Sequence, residues 1–136
     1  MVRTGILKPF GWISAAVLGA LIVWIIAVVA LGVDLEVRFG PQVTPVTPAA
    51  VVLTSVIAGL GAWGLLLLLT RLLRNGSKVW TGVAVVVLLL SLGGPLLGEA
   101  SVGTKITLGI MHLVVAAVLI TGLPRSQPAL RPANAA

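Results

Sequence analysis

The sequence predicts an all-α, polytopic membrane protein whose four transmembrane helices form an up-down-up-down antiparallel bundle. Of the 136 residues, 59% are hydrophobic and 9% are charged, and the mean hydropathy is +1.20. Soluble domains carry about 25% charged residues. Four apolar stretches of about 18 to 24 residues lack any Asp, Glu, Lys or Arg, and each is long enough to cross a bilayer as a helix. Short segments join them, which favours antiparallel neighbours.

The first predicted span covers residues 10–33 and follows two basic residues, Arg3 and Lys8. The segment Ala30-Leu31-Gly32 is compatible with signal-peptidase cleavage, so a removed signal peptide is the alternative to a membrane helix. The apolar run is longer than the core of a signal peptide, which has about 7–15 residues. We therefore expect a retained helix.

The loop before the second span has a character of its own. Val37 and Phe39 alternate with Glu36 and Arg38, which predicts a short extended segment, and the repeated Val-Thr-Pro triplets at 43–48 favour extended geometry. Thr47 followed by Pro48 is a typical N-cap and first-turn pair. We interpret the loop as a stiff connector and helix cap, with a binding loop as the alternative.

The other spans are predicted at 49–70, 79–97 and 106–123. Asn75-Gly76 predicts a tight turn with positive φ values between the second and third helices. Gly93-Gly94-Pro95 predicts a break near the end of the third helix. Residues 1–125 thus form one transmembrane domain, and residues 126–136, which are rich in proline and small residues, are predicted to be a disordered cytoplasmic tail.

The distribution of charge predicts the orientation. Most of the nine basic residues fall at the end of the bundle that holds both termini, and the three acidic residues fall at the opposite end together with Arg38 and Lys105. The positive-inside rule then places both termini and the 71–78 loop in the cytoplasm. Trp12 and Trp80 lie near the cytoplasmic ends of their spans, where tryptophan contacts lipid headgroups. The basic residues predicted to contact headgroups are Arg71, Arg74 and Lys78.

One intramembrane layer of polar side chains is the main candidate site. His112 is the only ionisable residue inside a predicted span, and Trp24, Ser55 and Ser91 lie at similar depths in the other three. Because unpaired polar groups are costly in hydrocarbon, we expect His112 to hydrogen bond to one of these three. A proton relay, a ligand site and haem ligation by two copies of His112 are the functional alternatives. Hydrogen bonds that merely join helices are the preferred interpretation.

Small residues at four-residue spacing predict close helix packing. They occur in the first and second spans, and packing within one chain is preferred over self-association. The candidates are Ala15, Gly19, Ser55, Gly59 and Ala62.

Several classes of function are excluded by the composition. The chain has no cysteine and one histidine, so thiolate metal sites, disulfides and paired-histidine sites within one chain cannot form. No carboxylate pair lies within a span, and we predict no catalytic residues, no metal and no cofactor. The positive charge sits between membrane spans, which indicates lipid contact and argues against nucleic acid as a partner.

The order of motifs resembles a family of uncharacterised four-helix membrane proteins common in actinobacteria. The resemblance rests on the Val-Thr-Pro entry to the second helix, on the run at 85–97 that ends in Gly-Pro-Leu-Leu, and on Met111-His112 with the following apolar residues. It covers most of residues 10–125. It implies a bacterial inner membrane location and implies no activity.

We therefore predict a protein without enzymatic activity that serves as an accessory or interaction subunit of a membrane complex, or that forms a homo-oligomer. The alternative is a protomer of a transporter or channel lined by the layer around His112. A lipid-modifying enzyme would need Glu99, Lys105 and the 34–48 loop to converge, and their spacing in the sequence does not predict this.

Overall fold

The computed structural model describes residues 3–127, with side-chain surroundings from Leu7 onward. Helix α1 spans Arg3–Ile25 and continues as a π-helical turn, Ile26–Ala30. A hairpin follows, with strands β1 at Glu36–Phe39 and β2 at Gln42–Pro45. Three further helices are α2 at Pro48–Leu72, α3 at Gly76–Leu97 and α4 at Val102–Gly122. A short 3₁₀-helix, Leu123–Ser126, extends α4.

The fold class is confirmed. Four helices of the described residues are long and apolar enough to cross a membrane, and they pack as a ring in which α1 contacts α2 and α4 while α3 contacts α4 and α2. Ser126, which the sequence analysis placed in the tail, is buried. The rest of the predicted tail, from residue 128 onward, lies outside the described residues.

The core of the bundle has two layers. One lies toward the end that carries the α2–α3 connection, and its buried members are Ile13, Ala16, Leu66, Trp80, Leu119 and Leu123. The other lies toward the hairpin and is built on Ala20, Val51 and Met111. Outside these layers, large apolar side chains on all four helices are exposed. This arrangement suits a hydrocarbon solvent, in which apolar surface need not be buried.

The predicted break in the third helix is absent from the structure. The third helix is not broken at Gly93-Gly94-Pro95, because α3 continues to Leu97. Proline removes only one intrahelical hydrogen bond at this position, and the last turn is held by the Gly98 N–H, which donates to the Gly94 carbonyl at 2.9 Å. The Lys105 ammonium also donates to the Leu96 carbonyl at 3.3 Å, where the negative end of the helix dipole favours a cation.

The tight turn between α2 and α3 is present, but its predicted cause is wrong. Gly76 does not have a positive φ; among the described residues only Gly32 and Gly40 do. Gly76 is instead buried as the first residue of α3, and a Cβ atom there would overlap the Leu69 carbonyl. The glycine is needed for close approach of two backbones.

Candidate functional site

The predicted hydrogen bonds between His112 and the rest of its layer are not formed. The His112 Nδ1 atom lies 2.7 Å from the Leu108 carbonyl of its own helix. The Ser91 hydroxyl donates to the Leu88 carbonyl at 2.8 Å, and the Trp24 indole donates to the Val46 carbonyl at 2.7 Å. Each side chain has a backbone acceptor within reach, so none needs a partner on another helix. The prediction of an interhelical polar layer is therefore wrong in its contacts.

Ser55, the fourth member of the layer, is buried in α2. His112 is half-buried, on the face of α4 that also carries Lys105 seven residues earlier. The Ser91 hydroxyl and the His112 ring thus bond within their own helices, whereas the Trp24 indole ties α1 to the segment after the hairpin.

The predicted packing residues divide into two groups. Gly19 and Gly59 lie at helix contacts, because a Cβ atom on either would come within 2.8 Å of Val114 or Ile13 respectively. Ser55 is buried and Ala62 half-buried. Ala15 is exposed and does not pack within the chain. Ala16 and Ala20, which have the same four-residue spacing, are fully buried, so this pair packs within the chain as the spacing predicts.

The segment predicted to be an extended connector folds into a hairpin. Phe39 pairs with Gln42 across the two-residue turn Gly40-Pro41, and Gly40 has a φ of 61°. Glycine followed by a residue fixed near −65° fits a type II′ turn, which suits the twist of antiparallel strands. Thr47 caps α2 as predicted, since its hydroxyl accepts from the Ala50 N–H at 3.2 Å.

Hydrogen bonds from several elements fix the hairpin on the bundle. The Arg38 N–H donates to the Glu99 carbonyl in the α3–α4 connection at 3.2 Å, and the Val46 N–H donates to the Leu35 carbonyl at 2.8 Å. The buried Thr104 hydroxyl of α4 donates to the Asp34 carbonyl at 3.0 Å. Together with the Trp24 bond, these contacts tie the hairpin to α1, to α4 and to the α3–α4 connection, so it is a fixed platform and not a loose loop.

A cleft lies between the hairpin and the start of α4. Its volume is about 590 Å³, and all three acidic residues of the chain line it. The polar lining residues are Asp34, Glu36, Arg38, Glu99, Ser101 and Thr104. Within the described residues no group of three His, Cys, Asp or Glu side chains is arranged to hold a metal ion. The cleft is thus an open, net acidic surface at the hairpin end of the bundle.

This convergence of Glu99 with the 34–48 loop was missed by sequence reasoning. The alternation at 36–39 followed by Gly40-Pro41 was a usable signal for a hairpin. No local pattern predicts which segment then lies beside β1, because that depends on how α3 and α4 end relative to α1.

One edge of the hairpin is free of the bundle. In a two-residue hairpin, Phe39 and Gln42 form a hydrogen-bonded pair, so the next pair, Arg38 and Val43, points its backbone groups outward. Arg38 uses its outward N–H on Glu99, while Val43 lies on the opposite, exposed edge. Phe39 is 72% and Val43 46% exposed. Strand β2 therefore offers an unpaired edge with exposed apolar side chains beside it.

The opposite end of the bundle is basic. Arg71 lies in the last turn of α2, Arg74 in the α2–α3 connection and Lys78 in the first turn of α3; all three are exposed. Lys8 and Arg125 are exposed at the same end, and the sequence has no acidic residue there. Trp80, in contrast, is only 1% exposed, and its indole donates to the Ala62 carbonyl at 2.8 Å. The prediction that Trp80 contacts headgroups is wrong, because it fills the core between α2 and α3.

Comparison with known proteins gives one match. A family model described as "Family of unknown function (DUF6069)" matches residues 10–129. No curated protein and no solved structure matches the chain. The match covers the four helices and the hairpin, and it agrees with the resemblance to an uncharacterised family.

Proposed function

We propose that this chain, which belongs to the family of unknown function DUF6069, is an accessory subunit of a larger membrane complex and has no catalytic role of its own. The hairpin platform carries this proposal. It is fixed by hydrogen bonds to α1, to α4 and to the α3–α4 connection, and it leaves the edge of β2 and the side chains of Phe39 and Val43 exposed. An exposed strand edge is a surface to which an extended segment of another protein adds as a further strand.

The net negative charge of the cleft favours a basic partner. Asp34, Glu36 and Glu99 outnumber the one basic residue of the lining, Arg38. Opposite charge across an interface favours encounter with the correct partner and disfavours others. We propose that the partner presents a basic, extended segment outside the membrane, which pairs with the free edge of β2 at this net acidic end of the bundle.

Docking of a partner on the free edge of β2 is tested by replacing Val43 with proline. Because the Val43 N–H points away from β1, proline removes the outward donor without removing a hydrogen bond of the hairpin. The full-length tagged protein is purified from its native membrane in mild detergent, and co-purifying proteins are quantified by mass spectrometry. We expect a stoichiometric partner with the parent protein, and a loss of about tenfold or more of that partner with Val43→Pro.

Val43→Ala is the matched control, since it keeps the N–H and shortens the side chain. We expect it to retain most of the partner, with a loss of about fivefold at most, as for one exposed contact of about 1 kcal/mol. Equal retention by Val43→Pro and the parent protein would contradict docking at this edge. A homo-oligomer carrying a bound small molecule would instead favour the transporter or channel alternative.

We also propose that the protein lies in a bacterial inner membrane with the basic end in the cytoplasm. The charge difference between the two ends supports this orientation. A reporter that is active only in the cytoplasm, fused after Ala136, is expected to be active. A reporter inserted between Gly40 and Pro41 in the hairpin is expected to be inactive. The reverse pattern would overturn the orientation.

A further inference from the structure

We propose that the α2–α3 connection is a binding site for an anionic phospholipid. The site is the basic turn, defined here as Arg71, Arg74 and Lys78. These three exposed cations lie within eight residues of sequence: Arg71 at the end of α2, Arg74 in the connection and Lys78 at the start of α3, where the two helix ends approach closely at Gly76. Phosphate is the chemical group that such a cluster recognises.

Exposed apolar side chains among these cations point to a lipid and not to a soluble anion. Leu72 is 69%, Leu73 43% and Val79 41% exposed, and each is adjacent in sequence to one of the three cations. They lie at the ends of spans long and apolar enough to cross a membrane. A phospholipid meets both features, because its acyl chains contact leucine and valine while its phosphate contacts arginine and lysine.

The backbone at the start of α3 adds to the site. The Asn75 side chain makes no capping hydrogen bond, while the Gly76 and Val79 N–H groups donate to Leu73 and Asn75. The intervening N–H groups of Ser77 and Lys78 lie in the first helical turn, where no carbonyl of the helix precedes them. They are available to a phosphate oxygen that the basic turn has already attracted.

The two ends of the bundle carry opposite charge. All three acidic residues line the cleft at the hairpin end, so no Asp or Glu side chain competes with lipid phosphate at the basic turn. Lys8 and Arg125 extend the positive potential to α1 and to the end of α4. They lie on other elements and are suited to a control.

Lipid binding is measured on the full-length protein in detergent by native mass spectrometry. Short-chain phosphatidylglycerol, short-chain phosphatidylcholine and inorganic phosphate are titrated separately. We expect phosphatidylglycerol to bind at least tenfold more tightly than phosphatidylcholine. The triple variant R71Q/R74Q/K78Q is expected to lose at least tenfold in phosphatidylglycerol affinity, because each basic residue near an anionic surface contributes about fivefold.

Two further variants complete the test. K8Q/R125Q removes two other charges of the same end, and we expect it to lose less than about threefold, since charges away from the bound phosphate are screened. R71K/R74K/K78R keeps the charges and is expected to retain binding, which separates loss of charge from loss of folding. Equal losses in the triple variant and K8Q/R125Q would overturn the site, as would full displacement of the lipid by millimolar phosphate.

Discussion

Replacing Trp80 with alanine is expected to lower the free energy of unfolding of the bundle by about 3–5 kcal/mol. Trp80 is the largest of the fully buried side chains. It packs in the core layer with Leu66 and Leu119, and its indole donates to the Ala62 carbonyl of α2. Alanine would leave a cavity between helices, and in a membrane the lost packing is the main term because little hydrophobic driving force acts between helices.

Unfolding is followed in detergent with increasing denaturant, and two variants serve as comparisons. Trp80→Phe keeps most of the volume and removes the N–H, so we expect a loss of about 1–2 kcal/mol. Val79→Ala changes the adjacent, exposed residue and is expected to change stability by less than about 0.5 kcal/mol. If Trp80→Ala were no more harmful than Val79→Ala, the indole would face lipid, as the sequence analysis had placed it.

The wrong prediction for Trp80 shows that the sequence of a membrane helix says little about which of its sides faces the protein core. The helices were predictable because length and composition alone decide whether a segment crosses a bilayer. The side of each helix that faces the core was not predictable, because the spans are apolar all round and no periodicity distinguishes core-facing from lipid-facing residues. Trp80 lies near a helix end, a position equally suited to a headgroup contact and to the core. Only the packing of α2 against α3 decides between them.

The polar side chains show a second limit. Depth along each span predicts Trp24, Ser55, Ser91 and His112 at comparable levels, but depth contains no rotational information. Ser91 and His112 also had an alternative that the depth argument ignored, which is the carbonyl one turn earlier in the same helix. The cleft was missed for a related reason. The strands of the hairpin are local, but the cleft also needs Glu99, which lies more than fifty residues further along the chain.

Whereas Trp80→Ala removes a large buried side chain, a substitution at Gly76 adds a single methyl group, and we expect this addition to destabilise the bundle. A Cβ atom on Gly76 would meet the Leu69 carbonyl and the Thr70 backbone. Because these are main-chain atoms, no side-chain rotation can relieve the overlap, and the start of α3 must move away from the end of α2. We expect Gly76→Ala to lower the free energy of unfolding by about 1–3 kcal/mol, the range for overpacking, measured by the same denaturant titration.

Gly82→Ala is the matched control, on the same helix and with the same chemical change. Nothing lies within 4 Å of a Cβ atom built on Gly82, so the only effect is the higher helix propensity of alanine, and we expect a gain of about 0.5–1 kcal/mol. The two substitutions should therefore differ in sign. A gain for Gly76→Ala would mean that α2 and α3 do not approach closely at this turn. The basic turn would then no longer hold its three cations on two joined helix ends, so this measurement also tests the geometry on which the lipid site depends.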